Sequence, residues 1–298
     1  MLLSLDFTIL FHKKTRIPQL HGIYLRRLVL AFLLVNNEKI WAQKLLRLCL
    51  VLPEKISVSL IEQVFPGDIP RPWRKKVHSV YRDNPPYVPD DDGVLYVYYA
   101  EPYSLYQFKL FILDDYFSRD ILNYLTLPES PIFFGIHNVG FVDFSYSLYF
   151  PEYFKYPNKI EEKYIFLEFY TPTRFELINK KERFAEQFPT RRYLVRNLIN
   201  TWNDSFPDNP WDLEEMTDFV QEYMLSRSPV VGPIKWASYK RKPFKGFMGY
   251  VVYGFKDLEH PLIPKFMDLL TFGVLVGTGT ERFSGYGRYR FLENSEFI

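Results

Sequence analysis

The chain has 298 residues, of which 47% are hydrophobic and 24% charged, and its formal net charge is only +2. These values are typical of a globular protein with one large domain or two of about 150 residues, and we expect two. The single cysteine, Cys49, excludes a disulfide framework and a cysteine-based zinc site, which predicts a reducing, cytoplasmic compartment. The longest apolar run, Leu28 to Val35, is far shorter than the roughly 20 residues that span a bilayer, so we expect no membrane association.

Residues 1–150 are predicted to form an amino-terminal domain. Hydrophobic periodicity predicts a strand, two helices and a second strand in its first part, at Leu3–Phe11, Gly22–Leu34, Glu38–Leu50 and Ile56–Leu60. Pro66–Pro89 contains six prolines and several charges, which predicts an exposed loop. The pattern then predicts a strand at Val94–Tyr99, and the apolar run Leu105–Leu113 follows it. A helix opened by Asp114 or Asp115 and aromatic strands within Pro131–Phe150 are predicted next. These elements complete one α+β unit.

Residues 151–163 are predicted to form a linker, and residues 164–298 a carboxyl-terminal domain that repeats the order of elements. Its predicted strands and helices, in order, are Tyr164–Tyr170, the helix Pro189–Trp202, Val230–Tyr239, Lys245–Phe255, the helix Leu262–Gly273 and Arg288–Leu292. This βαββαβ series is typical of a ferredoxin-like fold. The predicted fold class is therefore α+β, with tandem ferredoxin-like domains related to RNA-recognition motifs.

Positive charge is concentrated in two parts of the chain, although the net charge is small. Residues 1–50 contain eight Lys and Arg against two acidic residues, and residues 235–245 contain five against none. These segments could converge on one phosphate-binding surface, or they could be solvated faces that never meet. A four-stranded sheet backed by helices also leaves one face open, which is a common way of binding RNA.

The segment from Gly277 to Phe291 contains four glycines and places arginines between aromatic residues. Glycine allows close approach of backbone to a ligand and adopts positive φ, so this Gly-rich loop could offer N–H groups to phosphate. It lacks the Gly-Lys-Ser/Thr ending of a nucleoside-triphosphate P-loop. The loop therefore indicates nucleic-acid binding.

Several motifs in order resemble the RAMP superfamily, and more narrowly the CRISPR-associated endoribonuclease that cuts precursor CRISPR RNA within each repeat. The motifs are Phe169–Arg174, Trp236–Arg241, Lys245–Gly249, the Ser-Gly-Tyr-Gly of Ser284–Gly287, and, in the amino-terminal half, Leu20-His21-Gly22 before Leu25–Leu28. The resemblance is good from about residue 164 to residue 292. Order and spacing together make it more specific than any single motif.

The resemblance implies two ferredoxin-like folds, with the Gly-rich loop at the groove between them and repeat RNA lying across the basic surface. It also implies a metal-independent, cofactor-free transesterification. The 2′-hydroxyl attacks its own phosphate and leaves a 2′,3′-cyclic phosphate and a 5′-hydroxyl. Such a reaction needs a base for the 2′ proton, an acid for the 5′ oxygen and cations for the charged phosphorane.

The predicted catalytic residues are His21, Tyr24 and Lys13, because the resembling proteins often place a histidine at the entry to the first helix. A histidine satisfied by local hydrogen bonds is the alternative, with His12 and His78 as the next candidates for the base. The predicted RNA-binding residues are Arg26, Arg27, Lys235, Lys240, Arg241, Lys242, Gly277, Gly279, Arg282, Gly285, Gly287 and Arg288.

Two sets of arginines have an open alternative, and no metal ligands are expected. Arg282 and Arg288 could bind phosphates of an RNA stem or make contacts inside the fold. Arg191, Arg192 and Arg196 could present a basic helix to that stem or form a structural surface.

Two other functions fit the sequence. A non-catalytic RAMP subunit that coats CRISPR RNA in an effector complex shares the ferredoxin core and the Gly-rich loop. An unrelated tandem RNA-binding protein would bind single strands generally and would not need the loop. The expected partners are CRISPR repeat RNA, as a hairpin or single strand, and further options are other Cas effector subunits and a second copy in a homodimer.

Overall fold

The computed structural model describes residues 1–13, 15–18, 22–36, 39–59, 62–65, 96–100, 105–125, 139–156, 163–178, 183–186, 190–234, 238–239, 242–243 and 246–292. Two antiparallel sheets, one in each half of the chain, form its framework. No helix among these residues is long and apolar enough to cross a membrane.

The amino-terminal domain is built on a mixed series of strands and helices. In chain order these are β1 Leu2–Phe11, β2 Thr15–Pro18, α1 Gly22–Val35, α2 Ile40–Val51, β3 Ile56–Val58, β4 Glu62–Phe65, β5 Tyr96–Ala100, β6 Leu105–Ile112, α3 Asp115–Leu122 and β7 Val139–Tyr149. The main sheet has the order β3-β6-β1-β7, all antiparallel, with β4 also paired to β6. The strand order is that of a ferredoxin-like unit.

The carboxyl-terminal domain has the same plan. Its elements are β8 Tyr164–Thr173, β9 Phe175–Ile178, β10 Arg183–Glu186, α4 Arg191–Ser205, α5 Leu213–Glu222, β11 Met224–Ile234, β12 Ser238–Tyr239, β13 Lys242–Pro243, β14 Gly246–Phe255, α6 Leu262–Val276 and β15 Tyr289–Phe291. The main sheet has the order β11-β14-β8-β15, again all antiparallel. Two ferredoxin-like units in tandem are therefore confirmed.

Several local details differ from the sequence predictions. The strand predicted at Val94–Tyr99 corresponds to β5, which pairs with β2 rather than joining the main sheet. The strand predicted at Val230–Tyr239 corresponds to β11, which begins at Met224 and ends at Ile234. Helix α5 and the hairpin of β9 and β10 were not predicted. The predicted loop Pro66–Pro89 lies outside the described residues.

Aromatic packing dominates the core of the amino-terminal domain. Alternate residues of β1 from Leu3 to Phe11 are fully buried against α1 and α2. The ring of Phe7 stacks on Phe108 with 5.1 Å between centroids, and Trp41 of α2 stacks on Phe144 at 5.2 Å. Many of the chain's aromatic side chains therefore stabilise the fold, because each buries a large apolar area.

The two domains share both apolar and ionic contacts. Leu2, Phe111 and Leu113 come from the first domain and pack into the core of the second. Lys55, after α2, lies 2.8 Å from a carboxylate oxygen of Asp204 at the end of α4 and 3.1 Å from one of Asp114. Buried apolar surface that crosses the junction disfavours independent movement of the domains.

Candidate functional site

The Gly-rich loop joins α6 to β15 and takes an unusual backbone path. Its four glycines, Gly277, Gly279, Gly285 and Gly287, have φ values of 76°, 80°, 81° and 75°. This left-handed region is open to glycine but costly for residues with a Cβ. At Gly287 a Cβ would also lie 1.6 Å from the carbonyl oxygen of Thr278. The glycines are therefore required by the turns of the loop itself.

The N–H groups of the loop donate to acceptors within the protein. The N–H of Gly279 donates to Oδ1 of Asn197 at 2.7 Å, and that of Thr280 donates to the carbonyl of Arg174 at 2.8 Å. Further internal donors are the N–H groups of Gly277, Thr278, Ser284, Gly285, Gly287 and Arg288. Each of these N–H groups therefore has a protein acceptor, and a role of the loop in binding phosphate stays a prediction.

Asn197 on α4 is an anchor of the loop that the sequence did not single out. Its Oδ1 also accepts from Oγ1 of Thr278 at 3.0 Å. An asparagine inside an amphipathic helix carries no pattern that would have identified this contact, since the partner lies 81 residues away. The loop is held as a rigid part of the carboxyl-terminal domain.

The other side of the loop contacts the start of α1 in the amino-terminal domain. A Cβ at Gly22 would lie 1.9 Å from the carbonyl oxygen of Ser284, so the two backbones are in direct contact. The guanidinium carbon of Arg26 lies 4.5 Å from the centroid of the Phe283 ring, and Phe283 packs against the first domain's core. The structure thus brings together the loop and the first helix, two features that the sequence analysis had linked only by resemblance.

Arg288 is buried at the junction between the domains. Its side chain is 3% exposed, and its guanidinium donates to Oγ of Ser57 and to the carbonyl oxygens of Val58 and Leu275. Burial lowers the pKa of Arg288 to about 10. Of the two roles considered for this residue, the contacts favour the one inside the fold.

Arg282 is also engaged by the protein, on the loop's short 3-10 turn. Its Nη1 donates to Oγ1 of Thr201 on α4 at 2.5 Å. Burial, and then the positive charge of Arg288, lower the pKa of Arg282 to about 10, while Asp204 acts in the opposite direction. The loop thus places two guanidinium groups near each other at this junction, with the carboxylate of Asp204 close enough to offset part of their charge.

The predicted catalytic residues have different outcomes. His21 lies outside the described residues. Tyr24, in the first turn of α1, is half-buried against the first domain's core, and burial raises its pKa to about 12. Its hydroxyl is protonated near neutral pH, so it can donate a hydrogen bond and is not suited to acting as a base. Lys13 is exposed just after β1.

The remaining basic residues divide between surface and fold. Arg27 is exposed, whereas the neighbouring Arg26 donates to the carbonyl of Cys49 at 2.8 Å. On α4, Arg192 and Arg196 are exposed, while Arg191 donates to the carbonyls of Met224 and Gln221. Lys235, Lys240 and Arg241 lie outside the described residues, and Lys242 belongs to β13. Within the described ranges, no group of three or more His, Cys, Asp or Glu side chains could hold a metal ion.

The fold and the loop define a class of protein with tandem ferredoxin-like domains and a Gly-rich loop seated between them. Residues 167–289, which include that loop, match the family model of the CRISPR-associated endoribonuclease Cas6. No curated protein matches the chain in sequence.

Three solved structures extend the comparison to nearly the whole chain. Thermus thermophilus Cas6 (TTHB231) has a TM-score of 0.59 at 14% identity, with 98% of each chain covered. Its product complex has a TM-score of 0.58 at 16% identity, covering 98% of this chain and 100% of that one. A chain of a partial Cas6-RT-Cas1–Cas2 complex has a TM-score of 0.52 at 13% identity, covering 98% of this chain and 46% of that one.

These findings confirm the resemblance to CRISPR-associated endoribonucleases that the motifs predicted. The sequence pattern of the Cas6 family lies in the carboxyl-terminal domain, and the likeness of fold covers both domains.

Proposed function

We propose that the protein is an endoribonuclease that cuts the repeats of precursor CRISPR transcripts by attack of the 2′-hydroxyl on the neighbouring phosphate. The observation that carries the proposal is the Cas6 family match in the domain whose Gly-rich loop touches the start of α1. The contact between the loop and the first turn of α1 suits this reaction, because positioning supplies a large part of such catalysis.

In this reaction the ribose supplies the nucleophile, so the protein needs only to move protons and stabilise charge. We assign His21 as the base that removes the 2′ proton, since the pKa of histidine lies near neutral pH. Tyr24 is protonated near neutral pH, and its hydroxyl donates a hydrogen bond to the phosphorane or to the departing 5′ oxygen. Lys13 is exposed and supplies positive charge near the reacting phosphate. No step in this scheme requires a metal ion.

Binding of the repeat would use the exposed basic residues rather than the buried arginines. Arg27 on α1 and the pair Arg192 and Arg196 on α4 are accessible to a phosphate backbone. We also propose that the basic residues of the segment 235–242 bind the repeat, on the basis of the sequence; these are Lys235, Lys240, Arg241 and Lys242. The glycines of the loop would contribute by shaping its surface.

The direct test is cleavage of a 5′-labelled repeat RNA in the presence of EDTA. We expect one cut, a product ending in a 2′,3′-cyclic phosphate, and no cut when the scissile nucleotide carries a 2′-deoxy substitution. Cutting of the deoxy substrate, or a requirement for a divalent ion, would contradict the proposed chemistry. Tight binding of the repeat without any cut would instead favour a non-catalytic RAMP subunit.

A further inference from the structure

The first turn of α1 is fixed in place by the tip of the Gly-rich loop. Gly22 begins the helix in backbone contact with Ser284, and no side chain fits between them, since a Cβ would lie 1.9 Å from the Ser284 carbonyl oxygen. One turn further along, the guanidinium of Arg26 lies over the ring of Phe283 at 4.5 Å. These two contacts, a turn apart, set both the position and the rotation of the helix start.

Arg26 and Phe283 are both held by other contacts. Nη2 of Arg26 donates to the carbonyl of Cys49 at 2.8 Å, which ties the guanidinium to α2. Phe283 packs against the apolar core that α1 and α2 share. A desolvated guanidinium over an aromatic face is attracted by the ring's negative potential, an interaction that aliphatic side chains cannot supply.

The base of the loop is tied to the other domain. Asn197 on α4 accepts the N–H of Gly279, and Arg282, next to Phe283, donates to Thr201 on the same helix. The Phe283 ring is therefore positioned by the carboxyl-terminal domain while it contacts the amino-terminal one. Any shift of the loop is passed to the first turn of α1, where Tyr24 lies.

We propose that Phe283 is a positioning residue for RNA cleavage, acting through Arg26 and the first turn of α1 without touching the RNA. This inference rests on the proposed function. Helix α1 carries Tyr24, and Phe283 fixes the position of this helix relative to the carboxyl-terminal domain, which contains the Gly-rich loop. Reacting groups must be aligned closely, and a misplacement of about 1 Å can cost on the order of 10²-fold in rate.

The test compares Phe283→Leu, which keeps an apolar side chain but loses the ring, with Phe283→Tyr, which keeps the ring. We expect Phe283→Leu to lower the single-turnover rate constant at saturating enzyme by about 10- to 100-fold, with the Kd for repeat RNA unchanged. Phe283→Tyr should cut at close to the wild-type rate. Thermal melting of each variant verifies that it is folded.

A double-mutant cycle with Arg26→Gln separates positioning from general destabilisation. If the pair acts as a unit, the double variant should be no slower than the slower single variant. Arg26→Gln also tests the same contact if Phe283→Leu proves unfolded. A wild-type rate in Phe283→Leu, a loss of RNA affinity that accounts for its slower cutting, or additive rate effects would each overturn the inference. A wild-type protein that makes no cut would instead contradict the proposed function.

Discussion

Arg288 and Ser57 meet across the junction of the two domains. Nη2 of Arg288 donates to Oγ of Ser57 at 2.8 Å, and that same hydroxyl donates to the carbonyl of Val276 at 2.6 Å. Val276 is the last residue of α6, directly before the Gly-rich loop. One serine of β3 thus connects the first sheet with both ends of the loop.

Replacing Arg288 is expected to affect stability more than RNA binding. Arg288→Ala leaves Ser57 and two buried carbonyl groups without their donor, and each unmet buried group costs free energy. We expect the free energy of unfolding to fall by about 3 kcal/mol, and by about 1 kcal/mol in the matched variant Ser57→Ala. Urea denaturation measures both. Normal stability combined with weak RNA binding in Arg288→Ala would instead indicate that Arg288 contacts RNA.

The contribution of each arginine of α4 to RNA binding is expected to depend on its exposure. Arg192→Ala and Arg196→Ala should each weaken binding of repeat RNA and reduce the slope of log affinity against log salt by about one. Arg191 is the control on the same helix, because its guanidinium is used by carbonyls of the fold. Arg191→Ala should change thermal stability and leave the salt slope unchanged. Equal slopes in all three variants and the wild type would rule out this helix as an RNA contact.

His21→Ala tests the proposed base. Losing a general base typically costs about 10² to 10⁴ in rate, so we expect that reduction in the single-turnover rate constant with little change in RNA affinity. The pH profile provides a second readout, since the inflection near the pKa of histidine should disappear. Tyr24 cannot supply that inflection, because burial raises its pKa to about 12. A variant that cuts at the wild-type rate would remove His21 from the site.

Glycine at position 287 should be indispensable for the folded loop. Gly287→Ala would place a Cβ 1.6 Å from the carbonyl oxygen of Thr278 and force an L residue to a φ of 75°. We expect a loss of at least about 2 kcal/mol in the free energy of unfolding. Thr280→Ala, in the same loop, loses one long hydrogen bond from Arg174, at 3.3 Å. This variant should change the free energy of unfolding by less than about 1 kcal/mol. Similar stability in the two variants would contradict the close packing of the loop.

Stability should decline at alkaline pH because of the buried thiol of Cys49. Burial raises its pKa from 9.0 to about 12, against a smaller lowering by Arg26. Between these values the unfolded chain has lost its proton while the folded protein keeps it, so rising pH favours unfolding. The thiol's contribution to the free energy of unfolding is fully present below about pH 9. Above that pH it decreases by about 1.4 kcal/mol per pH unit.

Urea titrations between pH 8 and 10 measure that decline, with Cys49→Ala as the matched variant. The variant lacks the thiol, so its stability should change less steeply over this range, although tyrosines with raised pKa, such as Tyr24, still contribute above pH 10. Identical slopes for the two proteins would show that Cys49 is not the source.

Hydrophobic periodicity, together with the positions of capping and chain-breaking residues, was enough to predict most of the regular elements. The apolar residues of β1 and β8 and the helical spacing in α1 and α6 carry a strong local signal, because these elements are largely buried. Asp114 or Asp115 was expected to open a helix, and it is the side chain of Asp114 that accepts from the N–H of Phe117 at the start of α3. Helix α5 had a comparable signal in Asp212, which caps it in the same way.

The site was less accessible to sequence reasoning, since its contacts join residues far apart in the chain. The contact between Gly22 and Ser284 and the bond between Arg288 and Ser57 each join residues from different domains. An arginine between aromatic residues has the same local pattern whether it binds phosphate or a carbonyl group. Burial decides between these roles, and burial depends on how the two domains pack.

Patterns within short segments are enough to predict the tandem ferredoxin-like plan, the position of the Gly-rich loop and the resemblance to CRISPR-associated endoribonucleases. The internal use of the loop N–H groups and the place of Arg288 at the domain junction became visible in the folded chain alone. A donor binds whichever acceptor lies within reach, and the reach depends on how distant segments pack. For the loop N–H groups the acceptors lie in the loop and in the same domain, and for Arg288 they include Ser57 and Val58 of the other domain.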